Sequence, residues 1–326
     1  MSALALAVAT LVACSSSSSH IYVDAGTTTS TRDETTTSTQ PASTALSRLV
    51  VGGAELNSST YSGGSFRLTN ESPEGQQIAS LRIDLSTGVL PDIVFDPDGT
   101  AGDTLGRGFT VNGNPGSGPV DHSFGGEHDL GFDVLTATFV DFGPGKTLAF
   151  CIDIDPTTIR AAEPPGPGEA GSVSGLELTG ATVTVAYDDG TTQTGRLFRS
   201  PDSLGQSEVR LTASPGAQPS LEVVDDQAIR VTAPPGATVR LVALGTALFT
   251  SGLPGGGFDV DDLEANSIVA VAEQTVAVGP GGAAEVPLTL ASTDPATDAD
   301  RFVAAVVDPR GPGIGPLSNV LTLRRR

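Results

Sequence analysis

Residues 92–133 hold the densest set of side chains capable of chemistry in this chain. Asp92, Asp96, Asp98 and Asp103 come first. Asp121, His122, Glu127, His128, Asp129 and Asp133 follow, after a stretch rich in Gly, Pro and Asn. Calcium takes about six to eight oxygen ligands, largely carboxylates and carbonyls on loops. Asp96-x-Asp98-Gly99 has the character of such a loop. The candidate calcium ligands are therefore Asp96, Asp98, Asp103, Asp121, Asp129 and Asp133, with His122, Glu127 and His128 as weaker candidates. The loop is not an EF-hand, because Ala101 stands where that loop needs Gly and Arg107 where it needs Glu. Asp96-Pro97-Asp98-Gly99 also reads simply as a turn. His122 and His128 match no zinc-site spacing, and zinc would need converging tetrahedral ligands; satisfied loop histidines are the default reading. Asp259, Asp261, Asp262 and Glu264 form a second acidic knot, read as a solvated loop.

Other chemistries find less support. Gly143-Pro144-Gly145-Lys146-Thr147 is not a phosphate loop, because Val140 occupies the first glycine position and a strand pattern follows. Gly311–Pro316 lacks the strand-to-helix context of a dinucleotide site. With only His20, His122 and His128 available, no Ser/His/Asp arrangement is visible. Cys151 lies in an alternating strand pattern and reads as a small buried hydrophobe; the only cation near it in sequence is Lys146, and a reactive thiolate wants a cationic neighbourhood. The net charge is −21, from 38 acidic and 17 basic residues, and this argues against binding nucleic acid, which needs a basic footprint. A glycosidase would use a pair of carboxylates, and the abundance of acids keeps that alternative open. Asn57-Ser58-Ser59 and Asn70-Glu71-Ser72 match the glycosylation acceptor pattern.

The elements that must position these groups are strands. From Leu49 to Leu211 the apolar pattern has period two. Leu81, Ile83 and Leu85 alternate with Arg82 and Asp84. Val134–Val140, Leu148–Ile154 and Ala181–Tyr187 alternate in the same way, bounded by Gly, Pro, Asn and Asp clusters. Nine of the 12 Phe lie between Phe66 and Phe198, enough aromatic mass for one core. The expected fold is all-β: an antiparallel jelly-roll-like β-sandwich over 49–213, a linker at 214–218, and an immunoglobulin-like β-sandwich over 219–326. In the second half, strands are expected at Leu221–Val224, Ile229–Thr232, Val239–Leu244, Ile268–Ala272, Thr275–Val278, Val286–Leu290, Phe302–Val307 and Val320–Leu323.

Residues 15–47 contain 18 Ser or Thr among 33. Such a stretch buries too little apolar surface to offset its ordering entropy, and reads as a flexible tether. Ahead of it, an apolar run ends in Leu11-Val12-Ala13-Cys14. This resembles a bacterial lipoprotein signal peptide with its lipobox. The resemblance implies a signal peptide at 1–13, a lipid on Cys14, a tether over 14–48, and attachment to the membrane at the cell envelope, facing the exterior (the outer membrane in a Gram-negative cell). With Cys14 lipidated, Cys151 has no disulfide partner.

Both halves carry a further resemblance. Phe66–Asn70, Phe95–Asp103, Asp153–Pro156 and Gly171–Gly175 look like an uncharacterised module of bacterial extracellular proteins. Such modules accompany malectin-like carbohydrate-binding domains and polycystic-kidney-disease-type repeats. Phe249–Gly252, Pro254–Val260 and Pro316–Val320 look like a second module of that company. No activity transfers with them. The expected function is a non-catalytic surface protein for adhesion, matrix attachment or envelope structure, with a glycan or another surface protein as partner. A calcium-dependent carbohydrate-binding protein is the alternative. Against it, sugar platforms lean on exposed aromatics, and this chain has no Trp and only Tyr22, Tyr61 and Tyr187.

Overall fold

The computed structural model describes residues 44–245, 270–288, 299–307 and 314–324, apart from 55–57, 74, 91, 114–115, 119, 158–159, 161–172, 204 and 226–227. Cys14, the signal peptide, residues 14–43 of the tether, Asn57, and the 259–264 acidic knot lie outside the described residues.

Alternation along the chain builds the first sandwich. β1 (Leu46–Val51), β2 (Phe66–Asn70), β8 (Thr147–Cys151), β5 (Thr110–Val111), β13 (Ser207–Thr212) and β12 (Phe198–Arg199) form a six-stranded antiparallel sheet in the order β12-β13-β1-β2-β8-β5. β3 (Ile78–Asp84), β4 (Ile93–Phe95), β7 (Gly131–Phe139), β9 (Ile154–Pro156), β10 (Thr182–Tyr187) and β11 (Thr192–Arg196) form the facing sheet, with β6 (Val120–His128) paired to β7. Alternate residues of each strand point inward, as pleating requires. Leu49, Val51, Phe66, Leu68 and Phe150 from one sheet meet Leu81, Ile83, Leu135, Val183 and Val185 from the other in one buried cluster. Phe66 stacks on Phe150 at 4.7 Å, and Phe150 meets Phe109 at 4.8 Å.

The structure departs from the sequence reading in three places within this sandwich. β1 takes in Leu46–Arg48, which the sequence reading gives to the tether. The single strand expected over Leu148–Ile154 is two: β8 pairs with β2, and β9 pairs with β4 in the opposite sheet. The switch falls at Ile152-Asp153, where Asp153 N–H donates to Arg107 O and Asp153 O accepts from Asp96 N–H. Finally, the segment holding Asp121, His122, Glu127 and His128, read as a Gly-rich loop, is a strand. β6 and β7 form a hairpin closed by the two-residue turn Asp129-Leu130, and both turn residues have positive φ, 48° and 74°.

The second sandwich pairs a three-stranded sheet with a five-stranded one. β14 (Ser220–Asp225), β15 (Ala228–Thr232) and β18 (Ala283–Pro287) form the first. β17 (Ala270–Ala277), β16 (Thr238–Gly245), β19 (Ala299–Val307) and β20 (Ile314–Leu317) form the second, with β21 (Leu321–Arg324) on β19. Over the described residues from 270 on, the two strands expected at 268–272 and 275–278 are the single strand β17, and β20 has no counterpart in the sequence reading.

β16 and β19 are buried on both faces. Val239, Leu241, Ala243, Phe302 and Ala304 fill the second sandwich's own core. Val242, Leu244, Val303 and Ala305 turn the other way and, with Leu317, pack on Val89, Leu90, Leu176 and Phe198 of the first sandwich. Arg240 clasps this joint. Its guanidinium lies 5.4 Å from the Phe198 ring centre, Nη1 donates to Arg199 O at 3.0 Å, and Nε donates to Glu273 at 2.7 Å. Arg199 pairs with the same Glu273 carboxylate. The described residues from Thr44 on thus form one compact unit. Leu244→Asp places an unpaired carboxylate in the shared cluster, a substitution expected to be strongly destabilising. The expected outcome is one calorimetric unfolding transition for the wild type and two for the variant; one transition in both would show that the joint does not couple the sandwiches.

Candidate functional site

The Asp96–Asp103 loop is organised by its own carboxylates. Asp96 is fully buried. Its Oδ1 accepts Thr100 N–H, and its Oδ2 accepts Ala101 N–H and Gly102 N–H, each at 2.8 Å. The chain turns at Gly99, whose φ is +65° and where a Cβ would sit 2.8 Å from the Leu105 backbone. Asp103 N–H donates to Asp155 Oδ2 at 2.8 Å, and Asp103 Oδ1 accepts Leu105 N–H at 2.6 Å. At Gly102 an added Cβ would meet the Asp155 side chain at 2.0 Å, so the loop is pressed onto that carboxylate. Asp153 and Asp155, both buried, belong to this knot. Their sequence signal is an acid in each second position of an otherwise apolar strand pattern.

The hairpin tip is a second knot. His128 Nδ1–H donates to Asp133 at 2.9 Å, and His128 Nε2 lies 3.7 Å from Asp129. Arg160 Nη2 donates to Asp129 O at 2.7 Å, and its Nε donates to Ala101 O at 3.4 Å. Thr100 Oγ1–H donates to Leu130 O at 3.2 Å. The two candidate loops therefore meet, but through Arg160, Thr100 and backbone carbonyls. The remaining candidates are spread out. Asp98 and Glu127 are exposed. Asp121 accepts its neighbour's His122 N–H at 2.9 Å. His122 stands six residues along β6 from His128, about 20 Å at strand rise. Among the described residues, no group of three or more His, Cys, Asp or Glu side chains is arranged to hold a metal ion.

Two further groups differ from the sequence reading. Cys151 is buried, and the cation beside it is Arg107 rather than Lys146: Arg107 Nη1 lies 3.7 Å from Cys151 Sγ, with its guanidinium 4.0 Å over the Tyr61 ring. Lys146 pairs with Asp141 at 2.6 Å. Asn70 matches the glycosylation pattern but is fully buried. Its Nδ2 donates to Gln76 O and Phe142 O at 2.8 Å, so it serves as a packing joint.

Rings cluster beside the edge strands β5 and β6. Phe109 stacks on His122 at 4.8 Å, His122 meets Phe124 edge-on at 5.7 Å, and Phe124 stacks on Phe132 at 5.3 Å. The phenylalanines are half-buried and His122 is exposed. In the sequence this row gives no sugar-platform signal, because it is built from Phe and His rather than Trp and Tyr.

No family model matches the chain, and a search of curated proteins finds no match to it.

Two outcomes are expected from these contacts. Asp96→Ala strands three N–H groups, of which those of Ala101 and Gly102 are buried, and a lone unmet buried donor costs about 1–3 kcal/mol. Urea unfolding of that variant should show a loss of at least about 2 kcal/mol, whereas Asp98→Ala should fall within about 0.5 kcal/mol of the wild type. Leu130→Gly relieves a left-handed residue that costs a non-glycine about 1–2 kcal/mol and should leave stability equal or higher; a clear loss would mean that the Leu130 side chain packs in solution.

Proposed function

We propose that this chain is a lipid-anchored extracellular protein whose two sandwiches form a non-catalytic display module for adhesion, matrix attachment or envelope structure. The observation that carries the reading is the double burial of β16 and β19, which joins two modules into one stiff body. Asp96 and Asp103 favour it too, because their carboxylates hold backbone N–H groups of their own loop. Anchoring rests on Leu11–Cys14 and the Ser/Thr tract behind it. One acyl chain binds a membrane only marginally, and the multiply acylated cysteine of a lipoprotein supplies the second signal. In cells fed labelled palmitate, the full chain should take up label and fractionate with membrane. Cys14→Ser should lose both. A Cys14→Ser protein that stays on the membrane would refute the anchor.

A second reading has its own observation. The ring row Phe109–His122–Phe124–Phe132, exposed at His122 and half-buried at its phenylalanines, offers apolar surface beside polar groups, as a carbohydrate-binding surface needs. A glycan array, with and without calcium, separates the two. Binding that His122→Ala abolishes would favour the lectin reading, and no binding in either condition would remove it. The calcium clause has its own check: chelation should lower the melting temperature if calcium binds the native state, and an unchanged melt would discard it.

A further inference from the structure

Two of the three segments of the first sandwich that meet the second carry an acid beside their apolar contact. Val89 and Leu90 precede Asp92, and Leu176 precedes Glu177. The segments are tied by Val89 N–H donating to Thr179 O at 2.8 Å, and they approach so closely that a Cβ on Gly180 would sit 2.9 Å from Val89 N. Glu177 ends the first turn of a short 3-10 helix, Gly175–Leu178. It is 2% exposed. One carboxyl oxygen, Oε2, accepts Ser174 N–H at 2.6 Å, and the other, Oε1, has no hydrogen-bond partner among the described residues.

The turn packs against β1, β12 and β13. The charged groups on those strands are Arg48, Arg199, Glu208 and Arg210. Arg48 pairs with Glu208, Arg199 with Glu273, and Arg210 with Glu71. Arg196 spans the two segments, its Nε donating to Gly180 O at 2.8 Å and its Nη2 to Thr87 O at 2.7 Å, and the charge that raises the Glu177 carboxyl is Asp92. Burial pushes the Glu177 carboxyl up to about 7, with the Asp92 charge adding to the rise and the Ser174 hydrogen bonds opposing it.

We propose that Asp92 and Glu177 form a proton-operated latch on the joint between the two sandwiches. With Glu177 protonated, the Val89–Leu90 and Leu176 segments sit together as one apolar seat for Val242, Leu244 and Val303. When its proton passes to bulk water, Glu177 becomes a buried anion repelled by the Asp92 charge, and the segments separate. The direction follows from linkage. A carboxyl whose folded value of about 7 lies above its ordinary 4.5 supports the closed joint fully below the ordinary value. That support is lost as pH rises through the folded one.

Hydrogen exchange of the full chain tests this, with each amide's rate divided by its unstructured rate at the same pH. Between pH 4.5 and 8.5, protection of β16 and β19 amides should fall about tenfold or more, the fall running from the ordinary 4.5 to the folded value of about 7 and levelling off above it, while β2 amides stay protected. Glu177→Gln should hold β16 protection level across the range. Asp92→Asn should move the wild-type midpoint downward. Flat β16 protection in the wild type, an equal loss in β2, or a wild-type pH response in Glu177→Gln would overturn the latch. Should Glu177→Gln fail to fold, Asp92→Asn decides alone, and an unmoved midpoint overturns it.

Discussion

The apolar seat shared by the two sandwiches is the constraint on which the rest of the structure depends. A sheet buried on one face can afford a polar outer face, but β16 and β19 have no outer face to spare. Val242, Leu244, Val303 and Ala305 would be a contiguous exposed patch without the first sandwich, and a patch of that kind drives association. Arg240 then decides the angle of approach, because one guanidinium must satisfy the Phe198 ring, the Arg199 carbonyl and Glu273 together. Burial pulls the guanidiniums of Arg199 and Arg240 below their ordinary range, and their mutual repulsion adds to this at Arg240. Glu273 lies between the two and makes that arrangement tolerable.

The acidic composition takes on a different meaning inside the fold. Among the described residues, most acidic side chains are at least part-exposed. The buried ones act as local scaffolds. Asp96 gathers three amide hydrogens as a helix N-cap would gather them, and Asp155 holds the amide of Asp103. Loops built this way need no regular secondary structure to satisfy their backbone. Glu177 and Glu208 each keep one carboxyl oxygen without a hydrogen-bond partner among the described residues.

Much of the fold was legible, and the failures have physical causes. β3 and β10 were plain because one face is core and the other water, so period two survives in Leu81-Arg82-Ile83 and Val183-Thr184-Val185. β6 was hidden because an edge strand buries little: Val120-Asp121-His122-Ser123-Phe124-Gly125-Gly126 offers few apolar positions to read. The sheet switch at Ile152-Asp153 was hidden for the opposite reason. Residues 151–156 are all buried, and alternation stops carrying information when both sides are inside. β17 read as two strands because Glu273-Gln274 looks like a break, whereas Glu273 is the shared partner of two arginines from elsewhere in the chain. The acids of the candidate site were visible as a cluster, but not the backbone amides that claim Asp96, nor Arg160, which enters from beyond the cluster.

The edge formed by β6 has a consequence for copies of this protein at high density. A nine-residue strand on the rim of a sheet is a template on which a neighbour's strand could add, and repetition of that step makes a fibre. Here Asp121 and Glu127 are exposed, and Gly126 breaks the run with φ +66°. A second β6 laid alongside would bring like charges together over a bent stretch of backbone. The rim thus carries its own protection against polymerisation, written into the same segment whose acids first suggested a ligand site.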